Sequence, residues 1–175
     1  MRMLNKYFSY SIFWDLLIAV VFTSTFFILV YICYVIIPTE ELLLSIVTDI
    51  SNIAFTSAGF VLTFLTLLVS FKISAKPIKR KKGNTLEDTY KKVSIFNLFL
   101  NSPLYVETIR HLKNGVKELL VIAILGFSLK LLAANIKIEV FFYFSIFGIV
   151  IISLVLWRSL LVLSGVLSVQ DKSTD

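Results

Sequence analysis

An uninterrupted apolar stretch at residues 51–72 constrains the fold of this chain more than any other feature. It reads SNIAFTSAGFVLTFLTLLVSFK, and its one charged residue, Lys72, stands at the end. An α-helix needs about 20 apolar residues to cross the hydrocarbon core of a bilayer. The stretch therefore predicts a membrane-spanning helix.

Small and hydroxyl-bearing residues recur along this stretch at alternating spacings of four and three positions, which place them on one face of a helix. One interpretation is close helix packing, because small residues let two backbones approach each other. The other is a pore, in which several copies turn this face toward an axis. We expect the chain to form oligomers through this polar stripe, which consists of Asn52, Thr56, Gly59, Thr63, Thr66 and Ser70.

The composition points to an integral membrane protein along the whole chain. Of the 175 residues, 58% are hydrophobic, a share that exceeds the usual content of soluble domains. The first apolar run reaches residue 37, so we interpret it as a retained helix rather than a signal peptide. We predict an all-α integral membrane protein, a single membrane domain over residues 1–175, with four transmembrane helices at about 15–37, 51–71, 119–134 and 138–157.

The distribution of basic residues predicts the orientation of the four spans. The segment between the first two spans holds no Lys or Arg, whereas the segment between the second and third is rich in both. Basic segments stay on the cytoplasmic side. Both termini are then cytoplasmic, and Trp14 and Trp157 mark the inner ends of the first and fourth spans.

Four charged residues, Asp15, Lys72, Glu118 and Arg158, fall near one plane at the inner membrane boundary when residues are counted from the outer ends. Charges at this depth need a partner or a route to water. Asp15 either pairs with Arg158 or Lys72 across the bundle, or each charge reaches the lipid headgroups separately.

The cytoplasmic segment 73–117 is longer than a helix connection requires, since such links usually take about 2–8 residues. We predict a short helix over residues 85–100, a second helix from Ser102–Pro103, and a cap or kink at Asn114–Gly115. With residues 159–171 these pieces form a helical collar. The collar contains a basic run, Lys76, Lys79, Arg80, Lys81 and Lys82. We interpret this run as a contact for anionic lipid or a partner protein. Nucleic-acid binding is disfavoured because no aromatic residues alternate with these charges.

Catalytic and metal-binding chemistry is scarce in the sequence. Cys33 is the single cysteine and His111 the single histidine, and no group of ligands has metal-binding spacing. We therefore expect no enzymatic activity, no metal and no cofactor. Lys130 interrupts the third span, where it either reaches the outer headgroups or lines a water-filled path. A transporter is disfavoured because the spans lack buried charges and an internal repeat.

The layout resembles a family of small four-helix membrane proteins from bacterial anti-phage defence loci. The features that carry the resemblance are the short acidic outer loop, the motif around Ser57, Gly59, Phe60 and Thr63, the basic cytoplasmic segment and the closing helical hairpin. Within that group it is most similar to the membrane subunit of the Kiwa system. The resemblance implies a homo-oligomer, a tetramer, in the bacterial inner membrane, which acts with a cytoplasmic partner subunit. Because the segment 73–117 is longer than a connection needs, we expect a non-enzymatic sensor and scaffold in anti-phage defence that recruits a cytoplasmic effector through it. The alternative from the residues themselves is an ion-conducting or depolarising pore lined by the polar stripe.

Overall fold

The computed structural model describes residues 11–32, 36–74 and 99–171. All regular structure in these parts of the chain is helical, which confirms the all-α prediction for them. A short 3-10 turn, Ala133–Asn135, joins the last two long helices. The long helices are α1 (Ser11–Tyr31), α2 (Glu40–Ser74), α3 (Pro103–Leu131) and α4 (Ile138–Asp171).

Local sequence signals explain where two of these helices begin. The first turn of α2 carries Glu40 and Glu41, whose negative charges are favourable at a helix N-terminus. Helix α3 begins at Pro103, where the missing N–H of proline removes no helical hydrogen bond. The preceding Ser102 has extended backbone geometry, and its hydroxyl donates to the Phe99 carbonyl at 2.7 Å. The predicted start at Ser102–Pro103 is therefore confirmed.

Helices α2 and α3 run antiparallel against each other. Near one end of the pair, the Tyr105 hydroxyl of α3 donates to the Leu68 carbonyl of α2 at 3.4 Å. Toward the other end, Gly126 of α3 lies directly against Ser51 of α2. Because α3 meets α2 in reverse order along the sequence, the two helices form an antiparallel hairpin.

Helix α4 packs against all three other helices, and α1 lies alongside it in the opposite direction. The rings of Phe27 in α1 and Tyr143 in α4 lie 5.6 Å apart at one end. Asp15 of α1 contacts Arg158 of α4 toward the other end. The four helices thus alternate in direction, so the start of α1 and the end of α4 lie at the same end of the bundle.

Two apolar clusters hold the bundle together. The larger one includes Ala19 from α1, Ala58 from α2 and Leu119 from α3, with α4 contributing several residues such as Val155. The smaller one lies where α3 turns into α4 and packs Phe141 among residues from the first turns of α2. The second cluster explains why α2 starts well before the predicted span, because its early turns have a surface to pack on.

Helices α1, α2 and α4 are long and apolar enough to cross a membrane. The 35 residues of α2 and the 34 residues of α4 correspond to about 50 Å each at a 1.5 Å rise per residue. This exceeds the hydrocarbon thickness of about 30 Å, so each helix is long enough to extend beyond the core. Large apolar side chains are exposed on all four helices, as expected for a protein surrounded by lipid.

Two details of the sequence-based interpretation are corrected. The acidic segment after the first span is not a loop throughout, because α2 already begins at Glu40. The cap or kink predicted at Asn114–Gly115 is wrong as a helix end, since α3 continues without a break to Leu131. Residues 159–171 continue α4 as a helix, as predicted. The basic run at 76–82 and most of the helix predicted at 85–100 lie outside the described residues.

Candidate functional site

A buried ionic cluster joins three helices of the bundle. The Arg158 guanidinium on α4 bonds to the Asp15 carboxylate on α1, and both side chains are almost fully buried, at 2% and 1% exposure. Its Nη2 also donates to the Glu118 carboxylate on α3, with distances of 3.3 and 3.4 Å to the two oxygens. Of the two pairings predicted for Asp15, the structure therefore shows the one with Arg158.

A glycine makes room for this cluster. A Cβ atom at Gly115 would lie 2.9 Å from Val155 Cγ1 and 3.5 Å from Arg158 Nη2. The first distance is a steric overlap, so a larger residue here would push α3 away from α4. Gly115 therefore sets the close helix approach that lets Glu118, three residues further along the same helix, reach Arg158.

His111 lies one helical turn before Gly115 and is also buried. Burial lowers the pKa of His111 first, because it disfavours the charged imidazolium, and the positive charge of Arg158 lowers it further. Glu107 and Asp15 oppose this change, and Arg110 adds to it. The neutral form of His111 is thus the one that suits its position near the guanidinium.

Two exposed tryptophans stand next to the cluster in the sequence. Trp14 and Trp157, which immediately precede Asp15 and Arg158, are both exposed on the outer surface of the bundle. Exposed tryptophans are enriched where the hydrocarbon meets the headgroups. The two tryptophans thus lie next to the ion pair in the sequence, one on α1 and one on α4.

Lys72, the other partner considered for Asp15, has a different contact. Its ammonium lies over the Tyr105 ring, 4.4 Å from the centroid. This is the geometry of a cation–π interaction. Burial raises the pKa of the Tyr105 hydroxyl, which stays protonated and donates to α2.

A buried ionic cluster of this kind fixes an arrangement more than it adds stability. Taking charges out of water costs several kcal/mol per ion, and their attraction only about offsets this cost. Removing one member is far more costly, because it leaves a buried charge without compensation. The cluster therefore favours the one packing of α1, α3 and α4 in which all three charges meet.

The polar stripe lies on the opposite side of α2 from its packed face. Leu68, Val61, Ala58 and Ala54 pack inside the bundle. In the folded chain every member of the stripe is solvent-exposed: Asn52, Thr56, Gly59, Thr63, Thr66 and Ser70. The polar stripe thus plays no part in packing among the residues that the structure describes.

The threonine hydroxyls of the stripe donate hydrogen bonds to backbone carbonyls of their own helix. Thr56, Thr63 and Thr66 donate to the carbonyl four residues earlier, at 2.8 to 2.9 Å. This bond removes the cost of a lone hydroxyl proton in an apolar setting. The hydroxyl oxygens retain acceptor capacity on the exposed face.

Sequence reasoning selected Gly59 as a packing glycine but did not identify the three that serve inside the bundle. Nothing lies within 4 Å of a Cβ placed at Gly59. A Cβ at Gly126 would lie 2.0 Å from Ser51 Oγ, and one at Gly148 would lie 2.9 Å from Ile50 Cγ2. Together with Gly115, these glycines occupy the crossings of α2, α3 and α4. Gly115 and Gly126 lie eleven residues apart on one face of α3, but the side chains that they face belong to other helices, so their spacing alone did not reveal their role.

The remaining predicted positions are less informative. Lys130 is exposed in the last turn of α3. The basic run Lys76, Lys79, Arg80, Lys81 and Lys82 lies outside the described residues. Within the described ranges, no group of three or more His, Cys, Asp or Glu side chains is arranged to hold a metal ion.

Comparison with known proteins identifies no relative of this chain. No protein-family model matches the chain, and no curated protein or solved structure matches it. The similarity to the Kiwa membrane subunit therefore stays a prediction. Function has to be argued from the two features of the chain itself, the buried ionic cluster and the exposed polar stripe.

Proposed function

We propose that this chain is a non-enzymatic membrane scaffold that assembles with copies of itself through the polar stripe and recruits a cytoplasmic effector. It crosses the bacterial inner membrane four times with both termini in the cytoplasm. The effector docks on the basic collar formed by residues 73–117 and 159–171. The observation that carries the proposal is that every member of the stripe is exposed on the face of α2 opposite its packed residues.

The stripe suits contact between copies for a physical reason. Lipid chains pack as well against leucine as another helix does, so association in membranes relies on close approach of small residues. The exposed face of α2 provides such a surface around Gly59, where no atom of another described helix lies within 4 Å of an added Cβ. The bulky neighbours Phe55 and Phe60 are exposed beside it and suit contact with lipid or the next copy.

The exposed surface of α3 supports the proposal that this helix is a membrane span, the third along the chain. After the exposed Leu104 and Val106 of its first turn, α3 presents basic side chains from Arg110 to Lys117. From Leu120 onward it presents mainly apolar side chains. A helix that enters a bilayer part-way along its length has this division. Because basic residues stay on the cytoplasmic side, the division also supports the proposed orientation.

Anti-phage defence enters the proposal through the resemblance alone. If the chain is a membrane subunit of that kind, the assembly is a tetramer and the effector is encoded nearby. Co-expression with the soluble products of neighbouring reading frames tests this part. The proposal expects one of them to co-purify with the full chain and to be lost when residues 76–100 are deleted.

Two matched glycine variants test the assembly directly. Gly59 and Gly165 are both exposed in open space, the first on the stripe and the second on α4. We expect Gly59→Leu to reduce the detergent-solubilised protein from oligomer to monomer in multi-angle light scattering, and Gly165→Leu to leave its mass unchanged. A wild-type monomer, or equal effects of both substitutions, contradicts the proposal.

A pore is the second candidate, and the free acceptor capacity of the stripe hydroxyls favours it. If the copies surround an axis, Thr56, Thr63 and Thr66 would present rings of oxygen atoms to a permeating cation. Planar-bilayer recording of the purified protein distinguishes the two functions. Unitary currents that Thr63→Leu alters support the pore, whereas silence from an intact oligomer supports the scaffold.

A further inference from the structure

Helix α3 carries a short row of basic side chains directly below its apolar outer surface. Lys113 and Lys117 are exposed on the same face, four residues apart, and Arg110 precedes them by three. The next exposed residues along the helix are Leu120, Val121, Ile124 and Leu125.

These three cations form no ion pair within the part of the chain that the structure describes. The ion pairs of Arg158 are with Asp15 and Glu118, and they leave Arg110, Lys113 and Lys117 uninvolved. Glu107, one turn before Arg110, is the acidic residue on the same exposed surface, and the row remains positive overall. The charge is therefore available to a ligand outside the protein.

We propose that Lys113 and Lys117 bind the phosphate groups of anionic phospholipids in the leaflet at the Arg158 end of the bundle. Arg110 lies at the margin of this site that is farthest from the hydrocarbon core. The inference rests on the proposed function in one respect, that α3 is a membrane span. Charge complementarity and continuity with the lipid-facing surface carry it: a lipid whose chains lie on Val121 and Ile124 has its phosphate beside Lys117.

The dimensions agree with this placement. The headgroup layer on each side of a bilayer is about 5–8 Å thick. Lys113 lies about 6 Å below Lys117 along the helix axis, and Arg110 about 10 Å below it, at a rise of 1.5 Å per residue. The two lysine backbones thus fall within the layer, and the arginine backbone lies just beyond it, within reach of its long side chain. Trp157, exposed beside Arg158 at the same level, is the type of residue that lies among headgroups.

A protein partner would fit this row less well. A docked protein would have to cover the run of exposed apolar side chains that follows the row from Leu120, three residues after Lys117. Lipid covers both surfaces with one molecule, because its phosphate and its acyl chains are joined at the required boundary.

The test compares two double variants that each remove two positive charges from the exposed surface. Lys113→Gln/Lys117→Gln removes the row, and Lys130→Gln/Lys137→Gln removes two lysines from the opposite end of the bundle, where they do not form a row on one helix. Native mass spectrometry of the full chain measures the apparent affinity for phosphatidylglycerol and for phosphatidylcholine with identical acyl chains. Circular dichroism confirms that both variants are folded.

We expect the wild type to prefer phosphatidylglycerol. A charge near the headgroups contributes roughly fivefold to affinity, so the row variant should weaken phosphatidylglycerol binding by about 25-fold and leave phosphatidylcholine unchanged. The control variant should change either affinity by less than about threefold. The proposal is overturned if the two variants lose the same affinity for phosphatidylglycerol, or if the wild type shows no selectivity for it. It is also overturned if the row variant loses a co-purified protein while its binding of phosphatidylglycerol stays intact.

The oligomeric mass, recorded in the same experiment, separates this inference from the proposed function. A monomer that keeps its selectivity for phosphatidylglycerol refutes assembly through the stripe and leaves the lipid row supported. An oligomer without selectivity refutes the lipid row alone.

Discussion

Replacing Arg158 by methionine removes the centre of the ionic cluster and leaves its two carboxylates buried together. Asp15 and Arg158 are 1% and 2% exposed, and Glu118 is 10% exposed with its oxygen 3.3 Å from the guanidinium. Breaking a buried ion pair by deleting one partner costs about 3–5 kcal/mol. Because Arg158 serves two carboxylates, we expect Arg158→Met to lower the free energy of unfolding by an amount in the upper part of that range.

Reversible unfolding in mixed detergent micelles measures this change. Trp14 and Trp157 precede Asp15 and Arg158 in the sequence, so their fluorescence reports on this end of the bundle. The control is Lys130→Met, which removes an exposed cation from α3 and should change stability by less than about 0.5 kcal/mol.

A triple variant distinguishes lost charge balance from lost packing. Asp15→Asn/Glu118→Gln/Arg158→Met removes all three charges, so no carboxylate is left without compensation. We expect it to recover more than half of the stability lost in Arg158→Met, because neutral replacement of a buried ion cluster is far less costly than breaking it. A loss below about 1 kcal/mol in Arg158→Met, typical of an exposed pair, would refute the reasoning.

Two further predictions concern the packing and the pH dependence of the bundle. Gly126→Ala should lower the free energy of unfolding by about 1–3 kcal/mol, because its Cβ would overlap Ser51 Oγ. Adding Ser51→Gly to this variant should restore at least half of the lost stability. The control Gly165→Ala, which has open space around it, should cause no loss in the same unfolding assay. Burial and the Arg158 charge lower the pKa of His111, so below about pH 6.5 the unfolded chain gains a proton before the folded chain does. Stability should therefore fall as the pH drops through this range, and more steeply in the wild type than in His111→Gln; identical pH profiles would contradict this.

Counting residues from the membrane boundaries was enough to name Arg158 and Lys72 as candidate partners of Asp15, but not to choose between them or to predict the full cluster. The count placed four charges near one plane, and the structure joins three of them. Which charges meet depends on which helices are neighbours, and apolar periodicity does not determine this. The contact between α1 and α4 brings Asp15 to Arg158, while α2 holds Lys72 against Tyr105 instead.

Helix lengths and crossing points were harder to predict for a related reason. Hydropathy marks the part of a helix that suits lipid, whereas α2 and α4 continue as far as packing surfaces support them. The glycines at helix crossings, such as Gly115 and Gly126, gain their role from a side chain on a different helix. The polar stripe was visible in the sequence because it is periodic, and its exposure became apparent only when the packed face of α2 was known.

The central claim is that copies of this chain meet along the polar stripe, and disulfide cross-linking in native membranes tests it most directly. In a Cys33→Ser background, one cysteine is placed at Thr63 on the stripe or at Ile53, which is exposed on a different face of α2. The account predicts that mild oxidation converts the Thr63→Cys protein to a covalent dimer and leaves the Ile53→Cys protein monomeric. No dimer from Thr63→Cys, or equal dimer from both, would contradict the claim.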